Sequence, residues 1–203
     1  MREGDLGARP KKRMRVTTRS RKGDQVAQNV LDRRFQVTAP DRVWVSDITY
    51  VATAEGWLYV CVVLDLYARR VVGWSMSSSL DTELALQAFM MAFLRRRPPK
   101  GLLFHSDRGV QYTSGAFCRA LELRGIRQSM SRKGDCYDNA CAEAFFKTLK
   151  TELTNRTFFR TRQEARAAIF EYVEAFYNRV RLHSAIGYVP PCEHEATAAR
   201  EAA

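Results

Sequence analysis

"GWLYVCVVLDL" (Gly56–Leu66) is an almost unbroken apolar run behind a glycine. It is far shorter than the roughly 20 residues a membrane-spanning helix needs. Its β-branched content reads instead as a central strand covered on both faces. Reading outward, "DRVWVSDITYV" (41–51) precedes it and "RRVVGWSMS" (69–77) follows, both rich in β-branched and aromatic residues. Short turns separate the three, so an antiparallel meander is expected. In the first strand Val43, Val45, Asp47 and Thr49 share one face.

Beyond Ser79 the period changes. Asp81 can cap a helix running to about Arg97, where Pro98-Pro99 stops it. Leu102–His105 reads as a short buried strand, Ser114 to Arg124 as a helix closed by Gly125, and 126–131 as another strand. A further helix holds Asn139 to about Thr154. Thr161 and Glu164 have the spacing of a capping box, and the helix they open puts Ala165, Ile169, Tyr172, Val173 and Phe176 on one stripe. Five strands interleaved with helices make an α/β chain with a mixed sheet, and sites in such sheets form beyond the carboxyl ends of parallel strands. Asp107 falls at such an end.

The 203 residues carry a net charge of +11, unevenly spread. Residues 1–36 hold 11 Lys/Arg against 4 Asp/Glu, and "RPKKRMRVTTRSRK" (9–22) has eight cations and no acid. Such a segment repels itself and buries nothing, so residues 1–34 are expected to be a disordered arm whose partner is a polyanion. Nucleic acid suits it better than a membrane surface, because no apolar face accompanies the charge. An ordered core is expected over 35–195 and a tail over 196–203. The basic N-terminus has no apolar segment behind it, so a cytoplasmic protein is expected. Five cysteines without a CxxC pair suggest neither a disulfide framework nor a zinc ribbon, and Cys61 reads as a small buried hydrophobe.

Three acids could act together. Asp47 is mid-strand, Asp107 stands at a strand end, and Glu143 sits at the rim of a helix whose apolar stripe is Ala142, Phe146, Leu149 and Leu153. Each alone reads as a paired, capping or solvated residue. Together, three carboxylates without a histidine partner suit a hard cation with oxygen ligands, Mg²⁺ or Mn²⁺. Two such ions can serve the attacking and leaving oxygens of phosphoryl transfer.

At this point the chain resembles a known family. "WVSDITY", "GWLYVCVVLDLYARRVVGWSMS", "FHSDRGVQYTS", "SMSRKGDCYDNACAEAFFKTLK" and "YNRVRLHSAIGYVPP" are similar to the second-reading-frame product of bacterial insertion-sequence transposases of the IS-three group. These have a retroviral-integrase type of core, and 35 residues separate Asp107 from Glu143, the family's spacing. The resemblance implies a ribonuclease-H-like fold with a mixed five-stranded sheet, a basic N-terminal arm and an appended C-terminal helix. It implies that Asp47, Asp107 and Glu143 are the catalytic and metal-binding acids, with two Mg²⁺ ions, Mn²⁺ substituting. It implies 3′-end cleavage and strand transfer on element ends and target duplex, by a homo-oligomer, in the cytoplasm on the nucleoid. Family members carry a helix-turn-helix region before the core. Here only the basic arm precedes it, so a core with its linker, a truncated copy or an engineered fragment is expected. A non-catalytic DNA-binding regulator and a structure-selective nuclease are the competing readings.

Lys147 and Lys150, on the Glu143 side of that helix, are candidate DNA contacts. So are Arg108 beside Asp107, and Lys11, Lys12, Arg13 and Arg15 in the arm. His105 and Ser106 are candidates for the active-site edge. Asp138 and Asn139 read as caps of the Glu143 helix. The Tyr177, Asn178, Arg181, His183 signature reads as scaffold, and Trp44, Trp57 and Trp74 as core.

Overall fold

A computed structural model describes residues 26–201. The candidate contacts Lys11, Lys12, Arg13 and Arg15 lie outside the described residues.

The meander forms as the pattern demands. Strand β1 (Val43–Thr53) pairs antiparallel with β2 (Gly56–Asp65), Asp47 opposite Val62, and β2 pairs antiparallel with β3 (Arg70–Ser77). Helix α1 (Thr82–Arg96) is capped by Asp81, whose carboxylate accepts from the Leu84 amide. Strand β4 (Leu103–Ser106) then enters parallel to β1, pairing with it at Val43–Val45. Two short helices follow, α2 (Val110–Thr113) and α3 (Gly115–Glu122), and then β5 (Arg127–Met130), parallel to β4. The order is β3-β2-β1-β4-β5, a mixed five-stranded sheet. It is the expected α/β architecture, with both faces covered.

On one face Trp44, Cys61 and Val63 pack against α1 and α3 through Ala88, Phe89 and Phe117. Gly73 is needed there, because a Cβ would stand 2.3 Å from the Ala88 carbonyl oxygen. On the other face Val45, Val60 and Val62 meet Phe145 and Phe146 of α4 (Ala140–Leu149) and Ile169 of α5 (Arg162–Glu171). The Thr161–Glu164 capping box is formed.

Four expectations need correction. Residues 26–34 are not part of a detached arm. Leu31 is buried in the α4–α5 core, the Val30 and Leu31 amides donate to the Ser129 hydroxyl, and the Gln28 carbonyl accepts from the Met130 amide. The contacts that tie them to Ser129 reach 98 and 99 positions along the chain, so no local pattern announces them. The boundary at 195/196 falls inside a further helix, α6 (Pro191–Glu201), pinned by Glu195 between Arg70 and Arg96. The α5 stripe shifts at its end: a π-helical turn over Tyr172–Tyr177 inserts a residue, so Tyr177 is buried and Phe176 exposed. Finally, only Trp44 of the three tryptophans is fully buried. Trp74 is half-buried, and Trp57 is 50% exposed.

Candidate active site

Past Val45, β1 runs on beyond its pairing with β4, and Asp47 stands on this stretch. Helix α4 crosses it on one face and brings in Glu143. Between them lies an open cleft of about 400 Å³, lined by Asp47, Thr49, Glu143, Lys147, Lys150 and Asn155 among others. Asp47 and Glu143, 96 positions apart, thus share one space with the two lysines.

Asp47 is half-buried and accepts from the Ile48 amide at 2.8 Å. Burial, then the negative charge of Asp107, push its carboxyl up to about 8; Glu143 adds to this and Lys150 opposes it. Glu143 is raised too, by burial. Asp107 flanks Asp47 from the end of β4 and is not among the cleft-lining residues. Its carboxylate accepts from the Gly109 amide at 2.9 Å. Gly109 leaves room for that bond, since a Cβ would come within 3.0 Å of the carboxylate oxygen.

The donor set fits a hard divalent cation. It is all oxygen, and a half-desolvated Asp47 beside like charges has two remedies, a proton or a cation. His105 is no competitor as a ligand: its two ring nitrogens are bonded to the hydroxyls of Ser129 and Ser131. Among the described residues no three Asp, Glu, His or Cys side chains lie close enough to hold an ion together. Three like-charged carboxylates repel one another and have no reason to converge before a cation arrives.

His105 and Ser106, expected at the edge of the site, are fully buried beneath it. Burial pushes His105 down to about 4, and the Ser106 hydroxyl donates to the Asp107 carbonyl. Arg108 spends its Nε on the Ser131 carbonyl, bracing the ends of β4 and β5. Asp65, at the end of β2, is committed to the amides of Asp41 and Tyr67. The Tyr177-Asn178 signature is scaffold: the Asn178 side chain exchanges two hydrogen bonds of 3.0 Å with the Val71 backbone, and His183 packs edge-on to Tyr177.

Asp138 and Asn139, expected as caps of α4, anchor it instead: Asn139 is the N-cap residue but its side chain makes no capping bond. Asp135 caps the 3-10 turn Cys136–Asn139 that leads into α4. Asp138 is fully buried and accepts from the Arg132 side chain and amide, from Arg33 and from Asn29. These bonds, Arg132's first, hold its carboxyl far below the usual carboxylate range. Asn139 donates to the Ser46 carbonyl, one residue from Asp47, at 3.1 Å. The root of the Glu143 helix is therefore tied to the N-terminal segment and to β1. Sequence reading missed this, because the partners of Asp138 lie as far as 109 positions away.

Comparison with known proteins agrees with this geometry. A family model described as an integrase core domain matches residues 37–136, and another of that description matches 124–191. The Shigella sonnei "Insertion element IS600 uncharacterized 31 kDa protein" is 46% identical over 186 residues, 92% of this chain and 68% of that protein. The transposase for IS904 of Lactococcus lactis is 45% identical, over 87% of this chain and 70% of the relative. The chain belongs to the insertion-sequence transposases of the IS-three group. Within that group the transposase InsF for IS3A of Escherichia coli is also 45% identical, over 85% of this chain and 60% of its own length. The transposase fold matches retroviral integrases at low identity. The catalytic core of BIV integrase gives a TM-score of 0.58 at 15% identity, over 80% of this chain and 98% of that one. The HTLV-2 integrase core in complex with magnesium gives 0.60 at 15%, over 79% and 99%. Among the described residues no helix is long and apolar enough to cross a membrane.

Proposed function

We infer that this transposase core cleaves the 3′ ends of an insertion sequence and joins them to target DNA. One observation carries the reading: Asp47 and Glu143 face a single cleft with Lys147 and Lys150, while the charge of Asp107 falls on Asp47. Mg²⁺, or Mn²⁺ in its place, would be held by Asp47, Asp107 and Glu143 and would supply Lewis acidity to a phosphodiester, two ions serving its attacking and leaving oxygens. Lys147 and Lys150 place cations along the same wall, where a DNA backbone entering the cleft would set its phosphates. Asp47 is half-buried, which strengthens the charge interactions around it. The basic arm, with Lys11, Lys12, Arg13 and Arg15, and Arg108 at the far end of the site, would hold more duplex without reading its sequence. The working form is read as a homo-oligomer on the nucleoid.

Pre-cut element ends bearing a 3′ hydroxyl, mixed with target plasmid and Mn²⁺, test this. Joined products are expected. Cleavage without joining would make the protein a nuclease, and binding without either a regulator.

A further inference from the structure

The tip of the β1–β2 hairpin shows two aromatic rings to solvent beside the cleft. Tyr50 is 49% and Trp57 50% exposed, and their rings meet edge to face with centroids 4.8 Å apart. They occupy diagonal positions, since Tyr50 pairs with Tyr59 and Ala52 with Trp57. The hairpin does not require either ring. Its turn is closed by Gly56 in a left-handed conformation and by the Thr53 hydroxyl donating to the Gly56 carbonyl. The edge-to-face pair gives a modest cross-strand stabilisation, but half of each ring is left in water beside a turn that neither closes.

Cations flank the pair on both sides. The Lys150 ammonium lies 5.4 Å from the centre of the Tyr50 ring, and Lys150 lines the cleft with Asp47 and Glu143. On the far side Arg162 donates from Nε to the Trp57 carbonyl, and its guanidinium lies against Gly56. Phe158, 80% exposed, stands next to Phe159, whose carbonyl accepts from Ala54 in the same turn. The track runs from the carboxylates over Lys150, Tyr50 and Trp57 to Arg162. Aromatic faces alternating with cations suit a strand whose bases are unstacked and whose phosphates are close by. Duplex DNA offers the cations its phosphates but hides its base faces.

We propose that the Tyr50–Trp57 hairpin is a stacking platform for unpaired nucleotides next to the catalytic cleft. It rests on the reading of that cleft as a DNA-processing site, and it assigns the platform to the strand that is opened there. A protein partner covering the rings is the rival occupant, but the cations on both sides favour a polyanion.

Tryptophan emission tests it in the whole chain. Trp44 is buried and the Trp74 indole is bonded to Glu174, so a change on adding DNA reports on Trp57. The chain is titrated in EDTA with a blunt duplex, and with the same duplex carrying a short unpaired 5′ or 3′ extension. Quenching by the extended duplex alone is expected. Trp57→Ala should weaken binding of the extended duplex about tenfold, as loss of one stacked base does, and leave the blunt duplex within about twofold. Trp57→Phe should restore most of the loss. The Trp57 ring is half in solvent, so Trp57→Phe should melt with the wild type and Trp57→Ala within a few degrees of it. Equal weakening for both duplexes, or no quenching by the extension, overturns the platform alone. So does an emission shift that follows protein concentration without DNA, which would show a second copy on the rings. A wild-type chain that binds neither duplex overturns the platform together with the DNA-processing reading.

Discussion

Asp47 is fixed by a ladder of backbone hydrogen bonds, Glu143 by the apolar packing of its helix and by side chains gathered around Asp138. The first lies on a strand paired along its whole length with β2, in the middle of the core. The second rides a helix whose entry is set by Arg33, Arg132, Asn29 and Asn139, and whose exit is a π-helical turn over Lys150–Thr154. The strand half of the cleft cannot shift without breaking the sheet. The helical half has more freedom, because α4 is held by the packing of Phe145, Phe146 and Leu149 and by side-chain bonds at its entry, without a backbone ladder. The proposed three-carboxylate site would thus be built from one fixed wall and one more adjustable wall.

The largest effect expected is chemical and touches both walls. Asp47→Asn, Asp107→Asn and Glu143→Gln should each lower cleavage and joining by on the order of a hundredfold or more, while DNA affinity in filter binding changes little. A variant that keeps more than a tenth of the wild-type rate would remove its residue from the site.

The next prediction separates the walls. Asp138→Ala strips the acceptor from two guanidinium groups and an amide, and should cost about 3 kcal/mol of stability in urea denaturation. Asp138→Asn should cost less. Activity should fall in both, with the Mn²⁺ concentration for half-maximal rate rising more than the rate at saturating metal falls, because the Glu143 wall is loosened and not removed. The carboxyl of Asp138 is depressed in the folded state, so its stabilisation is present above its ordinary value near pH 4. It is lost as pH falls further. The gap between wild type and Asp138→Asn should therefore close in acid.

The strand wall was legible in the sequence because its signals are local. The apolar run at 56–66 set the central strand, alternation put Asp47 on the face of Val45 and Thr49, and the Leu102–His105 strand delivered Asp107 to its end. Glu143 at the rim of its helix stripe was legible for the same reason. The forces that place that helix were not. Asp138 read as a cap because Asp before a helix caps more often than it anchors, and nothing near Arg33 says that it will reach 105 positions along the chain. The exposure of Trp57 was also missed. Tryptophan is mostly buried, and only its place just after the turn at Gly56 hinted otherwise.

A pH series sharpens the contrast at the strand wall. Asp47 is raised to about 8, opposite in sign to Asp138. Its folded form holds the proton more tightly than the unfolded chain does, so it subtracts stability as pH rises from about 4 to 8. Without metal, Asp47→Asn should melt with the wild type near pH 4 and above it at pH 8. Saturating Mn²⁺ should remove the difference at pH 8 by stabilising the wild type alone. A variant that is no more stable at pH 8 would show that burial does not strain this carboxylate. The smallest effect expected is that of Lys150→Ala, which should weaken duplex binding a few-fold and make its salt dependence shallower by about one unit of slope.

The most direct measurement is anomalous diffraction from a crystal soaked in Mn²⁺. The account predicts manganese bound by Asp47, Asp107 and Glu143 together, with α4 drawn toward β1. Manganese held by the two aspartates while Glu143 stays away from the ion, or bound elsewhere on the chain, would contradict it.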